Sequence, residues 1–141
     1  MGYSGFTSYS LEIHGDAEED LDQIFSENED AGAAILALLE VLKEDQDLLE
    51  RLTQRRFINY GEPHFSVDEW QETRRSKLNL WRIRELSSSE AGQYRIIYAF
   101  NPQQLRYYVL AILDREIVYD TSNQRVKRIF DIYDAIDIPR Y

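Results

Sequence analysis

The sequence predicts an α+β fold in which helices pack against an antiparallel sheet. Apolar residues alternate with polar ones in short segments between 80 and 113, and they recur at helical spacing within residues 17–52 and 126–133. Alternation is typical of strands, and a spacing of three or four residues is typical of amphipathic helices. Short turns between consecutive strands indicate an antiparallel meander. The predicted order is one strand, two helices, an irregular segment, three strands and a final helix.

The first fifty residues predict a strand followed by two acidic helices. Residues 8–14 alternate in the manner of a strand, and Gly15 ends that pattern. Asp16 is the predicted cap of the first helix. A second helix is predicted to begin near Ala31, with its apolar residues on one stripe. The polar run 44–47 interrupts this stripe, so the helix is expected to break or restart there.

Residues 57–79 are the least regular part of the sequence. Residues 66–69, with the sequence SVDE, match a helix capping box, and Phe65 and Trp70 flank it as a hydrophobic staple would. This combination predicts a short helix over about 67–74. An irregular surface loop is the alternative interpretation.

Three strands are predicted next, within residues 80–86, 94–100 and 107–113. The first of these alternates cleanly between apolar residues and arginine. The third is almost entirely apolar, as expected of a central strand that is covered on both faces. A polar turn follows the first strand, and a turn that contains Pro102 follows the second.

The last helix is predicted from about 123 to 134, with Thr121 or Ser122 as its cap. Its apolar stripe would dock it on the sheet. We expect residues 1–7 to form a flexible tail and residues 8–141 to form a single domain, because the sequence contains no linker, internal repeat or low-complexity segment.

The composition narrows the class of protein. The chain has 141 residues, of which 43% are hydrophobic, and it contains no cysteine. It therefore has no disulfide or thiolate metal site, and it suits a reducing compartment. No apolar run approaches the ~18 residues that cross a bilayer. We expect a cytoplasmic protein without membrane association. No histidine and carboxylate spacing matches a metal site, so no metal or cofactor is predicted.

The net charge of −10 is distributed unevenly. Residues 1–50 hold 14 of the 26 acidic residues and one of the 16 lysines and arginines, which leaves residues 51–141 with a net charge of +3. One interpretation is that the acidic helices keep the domain soluble. The other is that an arginine-rich surface faces a polyanion while the acidic helices face away from it.

Four arginines are candidates for such a surface. Arg82 and Arg84 are two residues apart on one strand and therefore share a face. Arg95 begins the next strand, and Arg115 follows the third. Guanidinium groups are planar, permanently charged donors that suit phosphate. Exposed aromatic rings can stack on unpaired bases. Tyrosines are interleaved with the arginines at Tyr94, Tyr98, Tyr107, Tyr108 and Tyr119. A solvated strand face above an aromatic core is the alternative.

These motifs, taken together, resemble the RelE/ParE superfamily of toxins from bacterial toxin–antitoxin pairs. A strand with alternating basic residues, LWRIREL, is followed by a strand that opens with Tyr94 and Arg95. An apolar strand then leads to Arg115 and Tyr119, and VKRI follows on the last helix. The similarity extends over about residues 8–134 and is most specific within 80–130.

The resemblance implies a RelE-like antiparallel sheet of about four strands, with two N-terminal helices and one C-terminal helix. It also implies a ribosome-dependent mRNA endoribonuclease in which the ribose 2′-hydroxyl attacks the adjacent phosphate without a metal or cofactor. The implied partners are a cognate antitoxin, the ribosome and mRNA, and a homodimer is a further option. The alternatives are a non-catalytic homologue that acts by binding, as the gyrase inhibitors of the superfamily do, or an inactive interaction module.

The resemblance also assigns roles to individual residues. Arginine stays protonated, with a pKa above ~12, and is a poor general base. Proton transfer would therefore fall to Tyr119, Glu116 or His64. By position, the catalytic residues would be Arg95, Arg115 and Tyr119, and the RNA-binding residues would be Arg82, Arg84 and Tyr94.

Overall fold

The chain adopts an α+β fold in the computed structural model, which describes residues 8–70, 78–136 and 138. Within those residues it forms one mixed sheet of six strands and five α-helices. The predicted α+β class is confirmed. The predicted sheet of about four strands is wrong, because two further strands form in the irregular segment. The tail predicted over 1–7 lies outside the described residues.

The sheet is an antiparallel array with one parallel strand added at its edge. Its order is β1-β6-β5-β4-β3-β2. Neighbours from β2 to β6 are antiparallel, which confirms the predicted meander over residues 80–114, and β1 is parallel to β6. The strands are β1 (Ser10–Ile13), β2 (Phe57–Asn59), β3 (Phe65–Glu69), β4 (Leu80–Glu85), β5 (Tyr94–Asn101) and β6 (Arg106–Asp114).

A β2–β3 hairpin occupies the segment for which a helix over 67–74 was predicted. Phe65 and Val67 are buried, and the residues that alternate with them face the other side of the sheet. This alternation is a strand pattern. Pairing with β4 gives the segment its backbone hydrogen bonds, so tertiary contacts override the local capping signature. The helix prediction is wrong for β3, and its remainder falls mostly outside the described residues.

Five helices surround the sheet in the described part of the chain. The predicted break at 44–47 is confirmed, because α2 ends there and the Asp45 side chain accepts a hydrogen bond from the Leu48 amide at 3.0 Å to begin α3. None of these helices has the length and apolar character needed to cross a membrane. The helices are α1 (Gly15–Glu27), α2 (Glu29–Glu44), α3 (Gln46–Glu50), α4 (Arg115–Val118) and α5 (Gln124–Ile136).

Two predicted helix caps are wrong. The His14 side chain, and not Asp16, caps α1 by accepting a hydrogen bond from the amide of residue 16 at 3.0 Å. Asn123 begins α5 by accepting from the amide of residue 125 at 2.8 Å, in place of Thr121 or Ser122. Thr121 and Ser122 lie in the turn before the helix. Asp16, Thr121, Ser122 and Asn123 are all of preferred capping types whereas histidine is not, so residue type alone does not identify the caps.

Each face of the sheet carries its own hydrophobic core. The first core lies under α1 and α2 and includes Leu39 and Ile96. The second lies under α4 and α5 and includes Ile97, Leu110 and Ile129. The predicted docking of the last helix on the sheet is therefore confirmed. The two cores leave α1 and α2, with their acidic outer surfaces, on the opposite side of the sheet from α5.

Ion pairs connect α1 to α5 across the edge of β6. The Asp20 carboxylate accepts hydrogen bonds from Arg125 Nη2 at 2.7 Å and from the backbone amide of Ile112 at 3.0 Å. The register of β1 ends before this point in β6, so Asp20 satisfies an amide that β1 does not reach. Asp16 pairs with Arg125 and hydrogen-bonds to Arg128. Asp16 is the second residue of α1, and its carboxylate bonds to α5 and not to the N-terminus of its own helix.

Candidate nucleic-acid interface

Arg82, Arg84 and Arg95 lie together on the sheet surface opposite α1 and α2, here called the arginine face. Arg82 is paired with Ile97 of β5, which belongs to the core under α5. Alternation places Arg84 two residues further along β4, next to the start of β5 where Arg95 stands. This register places the three arginines on one surface, as their positions in the strands predict.

One carbonyl oxygen holds two of the arginines together. Arg84 Nε donates to the Gly92 carbonyl at 3.2 Å, and Arg95 Nη1 donates to the same oxygen at 2.8 Å. Arg95 Nη1 also donates to the Tyr94 carbonyl at 3.0 Å. Gly92 belongs to a short 3₁₀ turn (Ala91–Gln93) directly before β5. The turn therefore fixes two positive charges side by side.

Arg95 is buried beneath this surface, behind Tyr119. The Arg95 residue is only 5% exposed. Burial lowers the pKa of Arg95, hydrogen bonding to the Tyr119 hydroxyl opposes that shift, and the positive charges of Arg84 and Arg82 lower the pKa further. Arginine remains protonated because its usual pKa lies far above neutrality. Tyr119 is 47% exposed, so the residue that interacts with the buried Arg95 charge is itself accessible to solvent.

No carboxylate of the described residues neutralises Arg84 or Arg95. Glu85 accepts hydrogen bonds from the Ser87 hydroxyl and from the Ser88 amide. Asp114 accepts from the first turn of α4 at 2.9 Å. The nearby acidic side chains are thus committed to backbone and hydroxyl groups. Arg95 Nε is buried with no acceptor among the described residues, which leaves a donor without the partner that a buried charged group normally has.

The positive charge is concentrated at the end of the face nearest Gly92. Arg82 lies opposite Asp68 of β3, and its Nη2 is 3.9 Å from the carboxylate. A pair at this distance is weak, but it partly offsets the charge of Arg82. Arg84 lies opposite Ser66, which is uncharged. An anion that approached this face would therefore meet the strongest field at Arg84.

The structure does not gather every candidate residue into one group. Tyr94 packs against the core under α1 and α2, because adjacent residues of a strand point to opposite faces. Arg115 is exposed as the first residue of α4, on the same side of the sheet, and among the described residues it does not share the Gly92 carbonyl with Arg84 and Arg95. His64 lies at the end of the β2–β3 hairpin, beside Tyr60. Of the predicted site residues, Arg82, Arg84, Arg95 and Tyr119 form one group.

Two features of this surface were missed by sequence reasoning. Gly92 lies in a segment that the sequence predicts only as a polar turn, and a backbone carbonyl gives no signal in the type of its side chain. Tyr60 was not singled out because the hairpin that displays it was not predicted. Its flanking residues, Asn59 and Gly61, are typical of turns and were the available signal.

The fold and this geometry define an α+β protein whose sheet presents an arginine pair without a carboxylate partner among the described residues. Across residues 8–70, 78–136 and 138, no group of three or more histidine, aspartate or glutamate side chains is arranged to hold a metal ion. Comparison of the sequence with models of protein families and with curated protein sequences finds no match. The resemblance to the RelE/ParE superfamily rests on the sequence motifs described above and stays a prediction.

Proposed function

We propose that this protein is a toxin-like, ribosome-dependent mRNA endoribonuclease whose arginine face binds the RNA phosphate. The observation that carries the proposal is the pair formed by Arg84 and Arg95 at the Gly92 carbonyl. Among the described residues, no carboxylate forms an ion pair with either arginine. The resemblance of residues 80–130 to RelE-type toxins supplies the type of reaction and the substrate.

Electrostatics favours an anion at this position. Two unit charges about 5 Å apart repel each other by about 3 kcal/mol when the effective dielectric constant is about 20. An anion bound to both guanidinium groups would relieve this repulsion. Phosphate suits the site because guanidinium groups bind its oxygens through paired hydrogen bonds. The Ser66 hydroxyl, opposite Arg84, is a further neutral donor for a phosphate oxygen.

The proposed reaction needs three things from the protein: alignment, charge stabilisation and proton transfer. The ribose 2′-oxygen bonds to phosphorus as the bond between phosphorus and the 5′-oxygen breaks. The 2′-hydroxyl proton is removed, and the leaving 5′-oxygen gains a proton. The products are a 2′,3′-cyclic phosphate and a 5′-hydroxyl end. Arginines suit the requirement for charge stabilisation, since they stabilise the charge that develops on the phosphate oxygens.

Tyr119 is the residue proposed to transfer the proton. Its hydroxyl interacts electrostatically with the Arg95 guanidinium, and the residue is 47% exposed. It can therefore contact a substrate that Arg84 holds. Arg95 is buried and would act on the phosphate through its charge. Arg115, exposed at the start of α4, would bind an adjacent phosphate. The proposed setting is the bacterial cytoplasm, with a cognate antitoxin as the inhibiting partner, and both follow from the resemblance alone.

A non-catalytic role is the second candidate, and the burial of Arg95 favours it. A side chain that is 5% exposed and bonded to two carbonyl groups is held in place. Such a group can shape a binding surface without reaching a reacting phosphate. The protein would then act by binding, as a gyrase inhibitor does. It would arrest growth and block DNA supercoiling while transcripts stayed intact.

The test is to induce the protein in bacterial cells and to map the 5′ ends of transcripts. The proposal predicts new 5′ ends within translated regions soon after induction, and it predicts that Arg84→Ala removes them. Lys43→Ala is the matched control, because it deletes one positive charge from an exposed position on α2. Transcripts that remain intact while the wild-type protein accumulates would contradict the nuclease proposal.

A further inference from the structure

The end of the β2–β3 hairpin displays an aromatic pair. Tyr60 is 80% exposed. Its ring centroid lies 6.1 Å from that of His64, and the two ring planes are inclined by 31°. A tyrosine ring in contact with one neighbouring ring and otherwise open to solvent has a free face on which a planar group can stack.

The aromatic pair is on the same side of the sheet as the arginine face. Asn59 pairs with Phe65 in the hairpin, so Tyr60 and His64 form the next cross-strand position. They therefore point to the side on which Ser66 lies. The Leu86 amide donates to the His64 carbonyl at 2.9 Å. This bond places His64 beside the continuation of β4, two residues beyond Arg84.

The spacing between the aromatic pair and Arg84 suits one nucleotide. Diagonal neighbours across a pair of strands are about 7–8 Å apart, and His64 is in that relation to Arg84. A base and its own phosphate are separated by a similar distance. A phosphate bound at Arg84 would therefore leave the base of the same nucleotide within reach of Tyr60.

Exposed apolar side chains are concentrated on this face. Among the described residues, four large hydrophobic side chains are exposed: Val41, Ile58, Tyr60 and Tyr119. Val41 is on α2. Ile58 lies opposite Ser66 and is 38% exposed, and Tyr119 covers Arg95. Aromatic rings thus flank the arginines at both ends of the surface.

We propose that Tyr60 and His64 form a base-stacking platform for single-stranded RNA, whose chain crosses the sheet from Tyr119, over Arg84, to the β2–β3 hairpin. The inference rests on the proposed function, because it requires the arginine face to bind RNA. Unpaired bases present the flat surfaces that stacking needs, and paired bases do not. Arginines along the path neutralise the phosphates, so the charge of the surface complements a nucleic acid better than an apolar protein segment.

The test measures binding of a fluorescein-labelled, eight-nucleotide RNA to the full chain by fluorescence anisotropy. Tyr60→Ala should weaken binding by about 5- to 100-fold, the range expected when one stacked base is lost. Tyr60→Phe keeps the ring and should bind within about twofold of wild type. The dependence of affinity on salt should not change in either variant, because no phosphate contact is removed.

A second probe separates stacking from other effects of the substitution. An oligonucleotide of equal length that lacks bases retains the phosphates, and the wild-type protein and Tyr60→Ala should bind it equally. If Arg84→Ala weakens binding of the eight-nucleotide RNA and Tyr60→Ala does not, the platform is wrong and the proposed function stands. If Tyr60→Ala weakens binding of both probes equally, stacking is likewise ruled out. If the wild-type protein does not bind the eight-nucleotide RNA, the platform is wrong, and transcript mapping in cells decides the proposed ribosome-dependent function separately.

Discussion

Arg84 and Arg95 donate to the same carbonyl oxygen, that of Gly92, at 3.2 and 2.8 Å. They differ in exposure, since Arg84 is partly exposed whereas Arg95 is buried. In the proposed function, Arg84 is therefore the residue that a phosphate would meet first, and Arg95 would supply charge from beneath. This difference decides which substitution tests binding cleanly, because removing Arg95 also removes buried hydrogen bonds.

The first prediction concerns the salt dependence of RNA binding. Arg84→Ala should reduce the slope of log affinity against log salt concentration by about one, as expected when one phosphate contact is lost. Arg84→Lys retains the charge and should keep most of the slope. The slope is measured from binding titrations at several salt concentrations. An unchanged slope in Arg84→Ala would show that Arg84 contacts no phosphate.

The second prediction separates proton transfer from binding. Tyr119→Phe keeps the ring but removes the hydroxyl that interacts with Arg95. The cleavage rate should fall by about 10²-fold or more, the usual contribution of a positioned acid or base. The affinity for RNA should remain within about twofold of wild type. If Tyr119→Phe cleaves at the wild-type rate, Tyr119 does not transfer the proton.

Alternation in the sequence was sufficient to predict much of the arginine face. Arg82 and Arg84 share a side because they are two residues apart in a strand. The same rule should have excluded Tyr94, since it directly precedes Arg95 and must point to the other face. The resemblance placed the two side by side as a motif, and the geometry of a strand separates them. The shared Gly92 carbonyl could not be predicted, because it depends on the register of β4 against β5.

Local patterns predicted the β4–β6 meander and α5, and they failed where distant contacts decide the structure. The segment Phe65–Glu69 satisfies a helix capping signature and a strand alternation at once. Pairing with β4 selects the strand. The parallel pairing of β1 with β6 joins segments almost one hundred residues apart, and alternation within β1 contains no information about its partner.

The third prediction concerns the stability of the core under α1 and α2. The Tyr107 hydroxyl donates to the Leu49 carbonyl at the end of α3, and burial raises the pKa of Tyr107. Tyr107→Phe should lower the free energy of unfolding by about 0.5–1.5 kcal/mol, because the buried hydrogen bond from its hydroxyl to the Leu49 carbonyl is lost. Tyr108→Phe is the control on the same strand, since its hydroxyl bonds to the exposed Gln104 side chain. Urea unfolding of both variants measures the difference, and equal stabilities would contradict the prediction.

The fourth prediction concerns the link between α1 and α5. A hydrogen bond from Arg128 holds the pKa of Asp16 below its usual 3.8, assisted by the charges of Arg125 and Arg128. The pKa in the folded state is depressed, so the stabilisation is present above about pH 4 and is lost as the pH falls through the folded value. Asp16→Asn should therefore be less stable than wild type at pH 7, and the difference should shrink below pH 4.

The check on this prediction is thermal unfolding of both proteins between pH 3 and pH 7. Asp22→Asn, at an exposed position of α1, controls for the loss of one negative charge. A stability difference between Asp16→Asn and wild type that does not change with pH would show that the carboxylate charge is not what holds α1 to α5.

The central claim, cleavage by the ribose 2′-hydroxyl on the arginine face, is tested most directly on purified translating ribosomes. The measurement compares a natural mRNA with one that carries a single 2′-deoxynucleotide at the mapped cleavage position. The account predicts that the wild-type protein cleaves the natural mRNA, leaves a 5′-hydroxyl end and spares the 2′-deoxy position. Arg84→Ala should leave both mRNAs intact. Cleavage at the 2′-deoxy position, or the absence of cleavage of the natural mRNA, would contradict it.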